Sequence, residues 1–314
     1  MKLGVVMDPI AAINSRHDAT LSLLWEAEAR GWPIYYFEPN DLYIVNGKAF
    51  GRARLLNVFR DNEHWFALHE PFEVALSELD VMLMRKDPPV NDEFIYLTYI
   101  LELAEKEGVL IVNKPQTLRD ANEKLITAEF ADCCVPTVVT SRIDLLRSFW
   151  QKEQDIVCKP LHVMGGTSVF RIQPQDQNAT VIFETLTEKE TRHVMAQRYI
   201  PAILQEGDKR IILINGEPFP MALARIPQKG EWRGNIVAGA KPVAQPLSER
   251  DYWICSQVGP YLKQKGVYFA GIDVIGDYLT EINVTSPSCI RELDEQCNSN
   301  ISAQLFDCLK TLIN

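Results

Sequence analysis

The stretch "YFAGIDVIGDYLTEINVT", residues 268–285, decides how this chain folds. β-Branched and aromatic residues fill it and Gly276-Asp277 interrupts it, so it reads as two strands joined by a turn. Residues at i and i+2 share a strand face, so Glu281 and Asn283 point the same way. Whether Asp273 joins them depends on register. A two-residue turn at 276–277 pairs 273 with 280 and puts Asp273 on the opposite face. A three-residue loop over 276–278, or an equivalent bulge, pairs 273 with 281 and gathers all three side chains. The odd loop or bulge is expected, since these hard oxygen donors suit a magnesium ion that also holds substrate phosphates.

Upstream, strand and helix alternate. Lys2 to Met7 reads as a strand and "TLSLLWEAEARG" (20–31) as an amphipathic helix closed by Gly31. "PIYYFE" (33–38), "LDVMLMRKDPP" (79–89) and "VLIVN" (109–113) read as further strands, with a helix over "DEFIYLTYILELAEKEG" (92–108). This order predicts an α/β layer with a parallel sheet, whose ligands bind beyond the carboxyl ends of the strands. Asp8 and the group Arg85, Lys86, Asp87 fall at such ends. "KPQTLRDANEKLITAEFA" (114–131) reads as helix, carrying Asn122 and Lys124. Beyond it come hairpin-linked strands, for example through Asn215-Gly216, and helices near 143–153 and 248–264. The boundary is therefore placed near 120, with an antiparallel-rich α+β portion after it.

Composition narrows the function. The 314 residues carry 32 Lys and Arg against 42 Asp and Glu, 32 − 42 = −10, and 46% are apolar. An acidic chain gains nothing from the phosphate attraction that drives nucleic-acid binding. The N-terminus has neither the apolar length nor the cleavage site of a signal peptide, and no apolar run approaches a membrane span of about 20 residues, so a soluble protein is expected. Seven cysteines, odd in number and without C-x-x-C pairs, read as reduced cytosolic thiols.

Two further constellations carry chemistry. "CKPLHVMGGTSVF" (158–170) joins strand to strand through glycines that let backbone N–H groups approach phosphate, with Lys159 just ahead. It is not a P-loop, since the Gly-Lys-Ser/Thr ending and the following helix are missing. Arg210, Arg225, Arg233 and Arg291 recur where an anionic substrate can be held by a guanidinium fork. The loop 227–242, rich in glycine and polar residues, reads as a lid that excludes water.

Together "MDPI", "LMRKDPP", "IVNKPQTLRDANEK", "MGGTSVFRI", "MAQRYIPA", "GDKRIILINGEP" and "GIDVIGDYLTEINVTSPSCIRE" resemble the bacterial glutathione synthetases of the ATP-grasp superfamily, over residues 2 to about 310. The resemblance implies an N-terminal parallel-sheet α/β domain (1–120), then a two-subdomain ATP-grasp fold, central (121–200) and C-terminal (201–314). It implies a cytoplasmic homotetramer that joins γ-glutamylcysteine and glycine with ATP, through an acyl phosphate. Lys124, Lys159, Gly165 and Gly166 would hold nucleotide phosphates; Gln197, Arg198, Tyr199 and Ile200 would meet adenine, and Asp208 the nucleotide. Asp273, Glu281 and Asn283 would ligate two Mg²⁺ or Mn²⁺ ions. Arg210, Arg225 and Arg233 would stabilise the transferring phosphoryl group, and Arg85, Ser286 and Arg291 would bind the peptide substrate. Another ATP-grasp carboxylate–amine ligase, or a non-catalytic ATP-binding relative, stays open at this point.

The family's small loop usually reads Leu-Asp-Gly-Met-Gly-Gly, whereas here it is Leu161-His162-Val163-Met164-Gly165-Gly166; the 239–243 segment, "GAKPV", is also poorer in glycine than is usual. Retained ATP binding with slower turnover is expected. The His162→Asp/Val163→Gly double variant should therefore turn over faster in a steady-state assay; an unchanged or lower rate counts against this reading.

Overall fold

The computed structural model describes residues 1–234 and 239–313. Its first part runs β1 (Leu3–Val6), α1 (Ala19–Ala29), β2 (Ile34–Phe37), β3 (Leu42–Val45), β4 (Lys48–Val58), β5 (Phe66–Leu68), β6 (Phe72–Ala75), β7 (Val81–Met84), α2 (Asp92–Lys106) and β8 (Leu110–Val112). Every residue of β1 and β7 is buried, as a strand covered on both faces requires. Strands β2, β1, β7 and β8 pair in parallel, as the strand–helix alternation predicts. The sheet is nevertheless mixed. Residues 42–75 add four antiparallel strands, with β4 pairing β2, β3, β5 and β6. These strands carry no clear sequence signal, because half-exposed strands such as β4 lack a continuous apolar run.

The second part holds α3 (Pro115–Asp120), β9 (Thr137–Thr140), α4 (Ile143–Glu153), β10 (Ile156–Pro160), β11 (Phe170–Ile172), α5 (Ala179–Leu186) and β12 (Val194–Arg198). Its four-stranded antiparallel sheet has the order β11-β10-β12-β9. The single helix expected over 114–131 is interrupted. Asn122 Oδ1 accepts from the backbone N–H groups of Lys124 (3.1 Å) and Leu125 (3.0 Å), which ends one helix and starts a 3-10 segment, Leu125–Cys133. Lys124 therefore stands in a kink, with its ammonium free to turn inward.

The third part runs α6 (Ile203–Glu206), β13 (Asp208–Ile214), β14 (Glu217–Ile226), β15 (Lys241–Pro246), α7 (Glu249–Gln264), β16 (Phe269–Ile275), β17 (Tyr278–Asn283), α8 (Ile290–Cys297) and α9 (Ile301–Ile313). Its antiparallel sheet has the order β15-β14-β13-β16-β17. The β13–β14 hairpin turns at Asn215-Gly216, both at positive φ (51° and 86°), as a primed two-residue turn requires. One face packs on α7, where Lys209 meets Asp251 at 2.5 Å in a buried ion pair. The other face carries the charges described below. Strand β15 begins inside the segment expected to be a lid, and residues 235–238 of that segment lie outside the described residues.

The strand pair that opens the sequence reading has a two-residue turn after all, with Ile275 opposite Tyr278 and Val274 opposite Leu279. Asp273 nonetheless pairs with Glu281, because Thr280 is an extra residue in β17. The bulge, rather than a three-residue loop, sets the register that joins the acidic side chains.

The first and third parts share cores, whereas the four-stranded sheet of the second packs a core of its own. Leu305, Phe306 and Leu309 of α9 pack with Leu21 and Leu24 of α1 and with Leu3 of β1. Asn113 adds a polar clasp. Its Nδ2 donates to the carbonyls of Phe269 (2.7 Å) and Val284 (2.6 Å), and its Oδ1 accepts from the N–H groups of Tyr268 (2.8 Å) and Phe269 (3.0 Å). Four bonds from one amide, three of them buried, fix the end of β8 to the start of β16 and to the residue just beyond β17. Asn113→Ala should cost about 2–4 kcal/mol, the sum of lost bonds and stranded backbone groups, read as a lower urea midpoint; a shift under about 0.5 kcal/mol would remove the clasp from the account.

Candidate active site

Strand geometry builds the site one rung at a time. Asp208 and Arg210 sit at i and i+2 on β13, so both face the same side. Arg225 on β14 lies opposite Asp208, and Asp273 on β16 lies opposite Arg210. The Thr280 bulge brings Glu281 beside Asp273, and Asn283 stands one rung further, opposite Gly271. Arg210 Nε and Nη2 donate to the Asp273 carboxylate at 2.5 and 3.0 Å. Arg225 Nη2 lies 2.6 Å from Asp208 Oδ2 and 3.0 Å from Asp273 Oδ2. Arg210, Arg225 and Asp273 are buried, and Asp208 is partly buried with its side chain 15% exposed.

Burial pushes the Asp273 carboxyl up, but the two guanidiniums outweigh it and hold it down at about 2. Asp208 goes the other way. Burial raises it to about 6, because Arg225 only partly offsets that cost and the Asp273 and Glu281 charges add to it. Asp208 Oδ1 is buried with no hydrogen-bond partner among the described residues.

Lys124, with a side chain 3% exposed, donates to the Glu123 carboxylate and to Val163 O (2.9 Å), and lies 3.7 Å from Glu281. Burial and the neighbouring Glu281 charge push Glu123 upward, against Lys124. The Asn283 amide, turned with its oxygen toward Arg210, accepts at 3.2 Å and donates to Glu123 Oε2 at 3.2 Å. Four carboxylates thus neighbour one another, with an orphaned oxygen among them. Their oxygens are of the type a hard divalent cation takes, but among the described residues no three of them are gathered closely enough to hold one as they stand.

The cluster opens into a narrow cleft that encloses about 90 Å³. Its polar end is lined by Lys124, Lys159, Asp208, Asp273, Glu281 and the 163–166 loop. Its apolar end is formed by Val157, Val169, Tyr199, Ile203, Trp232 and Ile275. Gly165, Gly166, Gln197, Arg198, Ile200 and Arg233 also line it, so every residue expected to meet nucleotide shares this cleft. The small loop is anchored by Asn122 Nδ2, which donates to Leu161 O at 2.8 Å, and by an Arg192–His162 contact of 3.0 Å.

A second cleft lies beyond the carboxyl ends of β1 and β7, lined by Asp8, His17, Arg85, Asp87, Ser286 and Cys289. Arg85 is buried, donating to Thr20 Oγ1 and Pro287 O at 3.0 Å each, and its Nη1 has no partner among the described residues. Burial pushes the Cys289 thiol up, and the Arg210 and Arg225 charges counteract only part of this, so both arginines are within electrostatic reach of this cleft. Arg291 does not join Arg85 and Ser286. Its guanidinium donates to Ser15 O and Glu295 and lies 4.9 Å from the Trp25 ring centroid, engaged on the far side of α8. Held by its own helix and a neighbouring loop, this guanidinium acts as a structural tie outside the second cleft.

Glu123 and Trp232 join the site without having been among the residues expected there. Glu123 looked like a surface helix residue until the kink turned it inward. Trp232 carried a signal, a large aromatic in a polar, glycine-containing segment.

The family model for the prokaryotic glutathione synthetase N-terminal domain matches residues 1–119, and that for the prokaryotic glutathione synthetase ATP-grasp domain matches 123–298. The chain belongs to the prokaryotic glutathione synthetase family. It is 54% identical over 309 residues to the glutathione synthetase of Pseudomonas aeruginosa, covering 98% of this chain and 97% of the relative. It is 53% identical over 310 residues to that of Escherichia coli strain K12, covering 99% and 98%. Among solved structures, D-cycloserine synthetase DcsG superposes with a TM-score of 0.70 at 13% identity over both full chains. The ATP-grasp ligase PsnB, in a complex with a minimal precursor variant, Mg and ADP, gives 0.65 at 15%, covering 100% and 99%. These distant likenesses carry the fold: a mixed α/β chain with an ATP-grasp domain. As a member of this family the chain is an ATP-dependent ligase of glutathione synthesis.

One glycine makes the arginine row possible. A Cβ on Gly271 would stand 2.7 Å from Arg210 Cδ, in the middle of a side chain pinned at its far end. Gly271→Ala should therefore lower kcat on the order of tenfold while leaving the thermal midpoint within a few degrees; an unchanged kcat would show that the Arg210 position is not critical.

Proposed function

We propose that the chain joins γ-glutamylcysteine to glycine at the expense of ATP, with the chemistry at the Arg210–Asp273–Glu281 row. A carboxylate is a poor acyl donor because oxide is its leaving group, so it must first be activated. The cysteinyl carboxylate oxygen attacks the γ-phosphorus and ADP leaves; the glycine nitrogen then attacks the acyl carbon, inorganic phosphate leaves and the amine gives up a proton. The transition state for phosphoryl transfer spreads negative charge over oxygens, which fixed cations in a water-poor site stabilise best. Arg210 and Arg225 are buried beside the cleft and suit that task; Arg233, half-buried at its mouth and reaching Gly166 O at 3.5 Å, is assigned a secondary share.

In this reading Lys124, Lys159 and the backbone of Gly165 and Gly166 hold phosphates. Gln197, Arg198, Tyr199 and Ile200 border the base, and Asp208 meets the nucleotide. Asp273, Glu281 and Asn283 hold two magnesium or manganese ions, which when bound neutralise phosphate charge and align the reacting oxygens. Arg85, with its unpaired buried Nη1, and Ser286 bind the peptide in the second cleft.

The three sheets support the division into 1–120, 121–200 and 201–314. Seven free cysteines support a cytoplasmic setting. A homotetramer is proposed on the family resemblance.

The observation that carries the reading is the charge row opening into one cleft with an apolar end. Phosphate release should require ATP, γ-glutamylcysteine and glycine together, and Arg210→Met should reduce kcat roughly a hundred- to thousandfold. Release that ignores either acceptor substrate, or an Arg210→Met variant of normal kcat, would sink it.

A further inference from the structure

Trp232 is the one tryptophan that lines the cleft, and its setting is unusual. It belongs to a polar segment, yet its ring packs against the buried cluster Val157, Tyr199 and Ile203. Its centroid lies 6.5 Å from that of Tyr199 at an interplanar angle of 76°, an edge-to-face pair.

The flanking residues hold it there. The Glu231 carboxylate accepts from the backbone N–H of Trp232 (2.9 Å), from that of Arg233 (3.1 Å), and from Arg233 Nε and Nη2 (3.1 and 2.7 Å). Gly234 is pressed against β13 and β14: a Cβ there would stand 2.6 Å from Asp208 Cβ and 3.0 Å from Arg225 O. A segment fastened on both sides of the ring presents it to the apolar end of the cleft. Tyr199 adds a second feature. Arg171 covers its ring at 3.6 Å, and its buried hydroxyl has no hydrogen-bond partner among the described residues.

We propose that Trp232 is a base-stacking residue: with Tyr199 and Ile275 it walls the slot that takes the purine ring of the nucleotide. The assignment rests on the reading that nucleotide occupies this cleft. An aromatic wall contributes dispersion and stacking to a flat heterocycle and nothing to a phosphate chain. The two halves of the ligand can therefore be separated by experiment.

ADP and inorganic tripolyphosphate are measured as competitors of ATP in the intact enzyme. Trp232→Ala should weaken ADP about tenfold or more, the scale of one lost base–aromatic stack, and leave tripolyphosphate within twofold. Trp232→Phe should recover most of the loss, and the change in tryptophan emission that ADP produces in the parent enzyme should vanish in it. Should Trp232→Ala fail to fold, Trp232→Leu is judged by the same ratio. Equal weakening of both competitors would assign Trp232 a purely structural part and overturn the proposal. Unchanged ADP affinity, with Lys159→Met weakening both competitors, would overturn it while leaving the nucleotide in the cleft. If Lys159→Met also changes neither, the placement of the nucleotide falls as well.

Discussion

One inserted residue, Thr280, governs the chemistry of this fold. Without the bulge, β17 would continue in step from Ile275–Tyr278 and Val274–Leu279, and Asp273 would face Thr280. Glu281 and Asn283 would then lie on the opposite side of the sheet from Asp273. The extra residue reverses the alternation for the rest of the strand, as a slip of one always does. Thr280 spends its hydroxyl on Asp273 O at 3.1 Å, which secures the irregular place in the ladder.

The register has an electrostatic cost that the arginines offset. A carboxylate withdrawn from water is expensive, and buried ion pairs seldom add stability over apolar packing. Asp273 is tolerated because two guanidiniums reach it, and its depressed pKa records that surplus of positive charge. Asp208 has one arginine and two acidic neighbours, and its raised pKa records the deficit. The site is thus positively biased where Arg210 and Arg225 meet and negatively biased toward Asp208, Glu123 and Glu281. Such a gradient has no use in a core. It suits a ligand that brings both phosphate oxygens and divalent cations, since each finds its opposite already in position.

Much of this was legible in the sequence, and the failures have physical reasons. The Glu281–Asn283 spacing followed from strand periodicity, which left two registers open for Asp273; the odd one was expected from the chemistry of the three oxygen donors. The parallel strands and the helices over 19–29, 92–106, 143–153 and 249–264 followed from apolar patterning and glycine stops. What escaped was set by tertiary context. Strands 42–75 are half-exposed and alternate too weakly to stand out. The helix at 114–131 has the composition of one continuous element, but the Asn122 side chain competes for the backbone and breaks it, which is what turns Glu123 and Lys124 into the site. Arg291 shows the converse. Its type and proximity to Ser286 suggested a ligand contact, yet one turn of helix and the Trp25 ring claim its guanidinium.

On the proposed reading, the arrangement of the two clefts lets one pair of arginines serve both half-reactions. Arg210 and Arg225 reach the first cleft through Asp273, which lines it, and their charges act on Cys289, which lines the second. A phosphoryl group passing from one cleft to a carboxylate held in the other need not leave their field. Negative charge develops first on the transferring group and then on the departing phosphate, in the same small volume. The cations that stabilise the first transition state are therefore in place for the second, and no nucleophilic side chain has to carry the acyl group between them. That economy requires the two clefts to keep a fixed separation. The cores shared between α1 and α9, and the Asn113 amide joined to the start of β16 and to the residue just beyond β17, supply the rigidity.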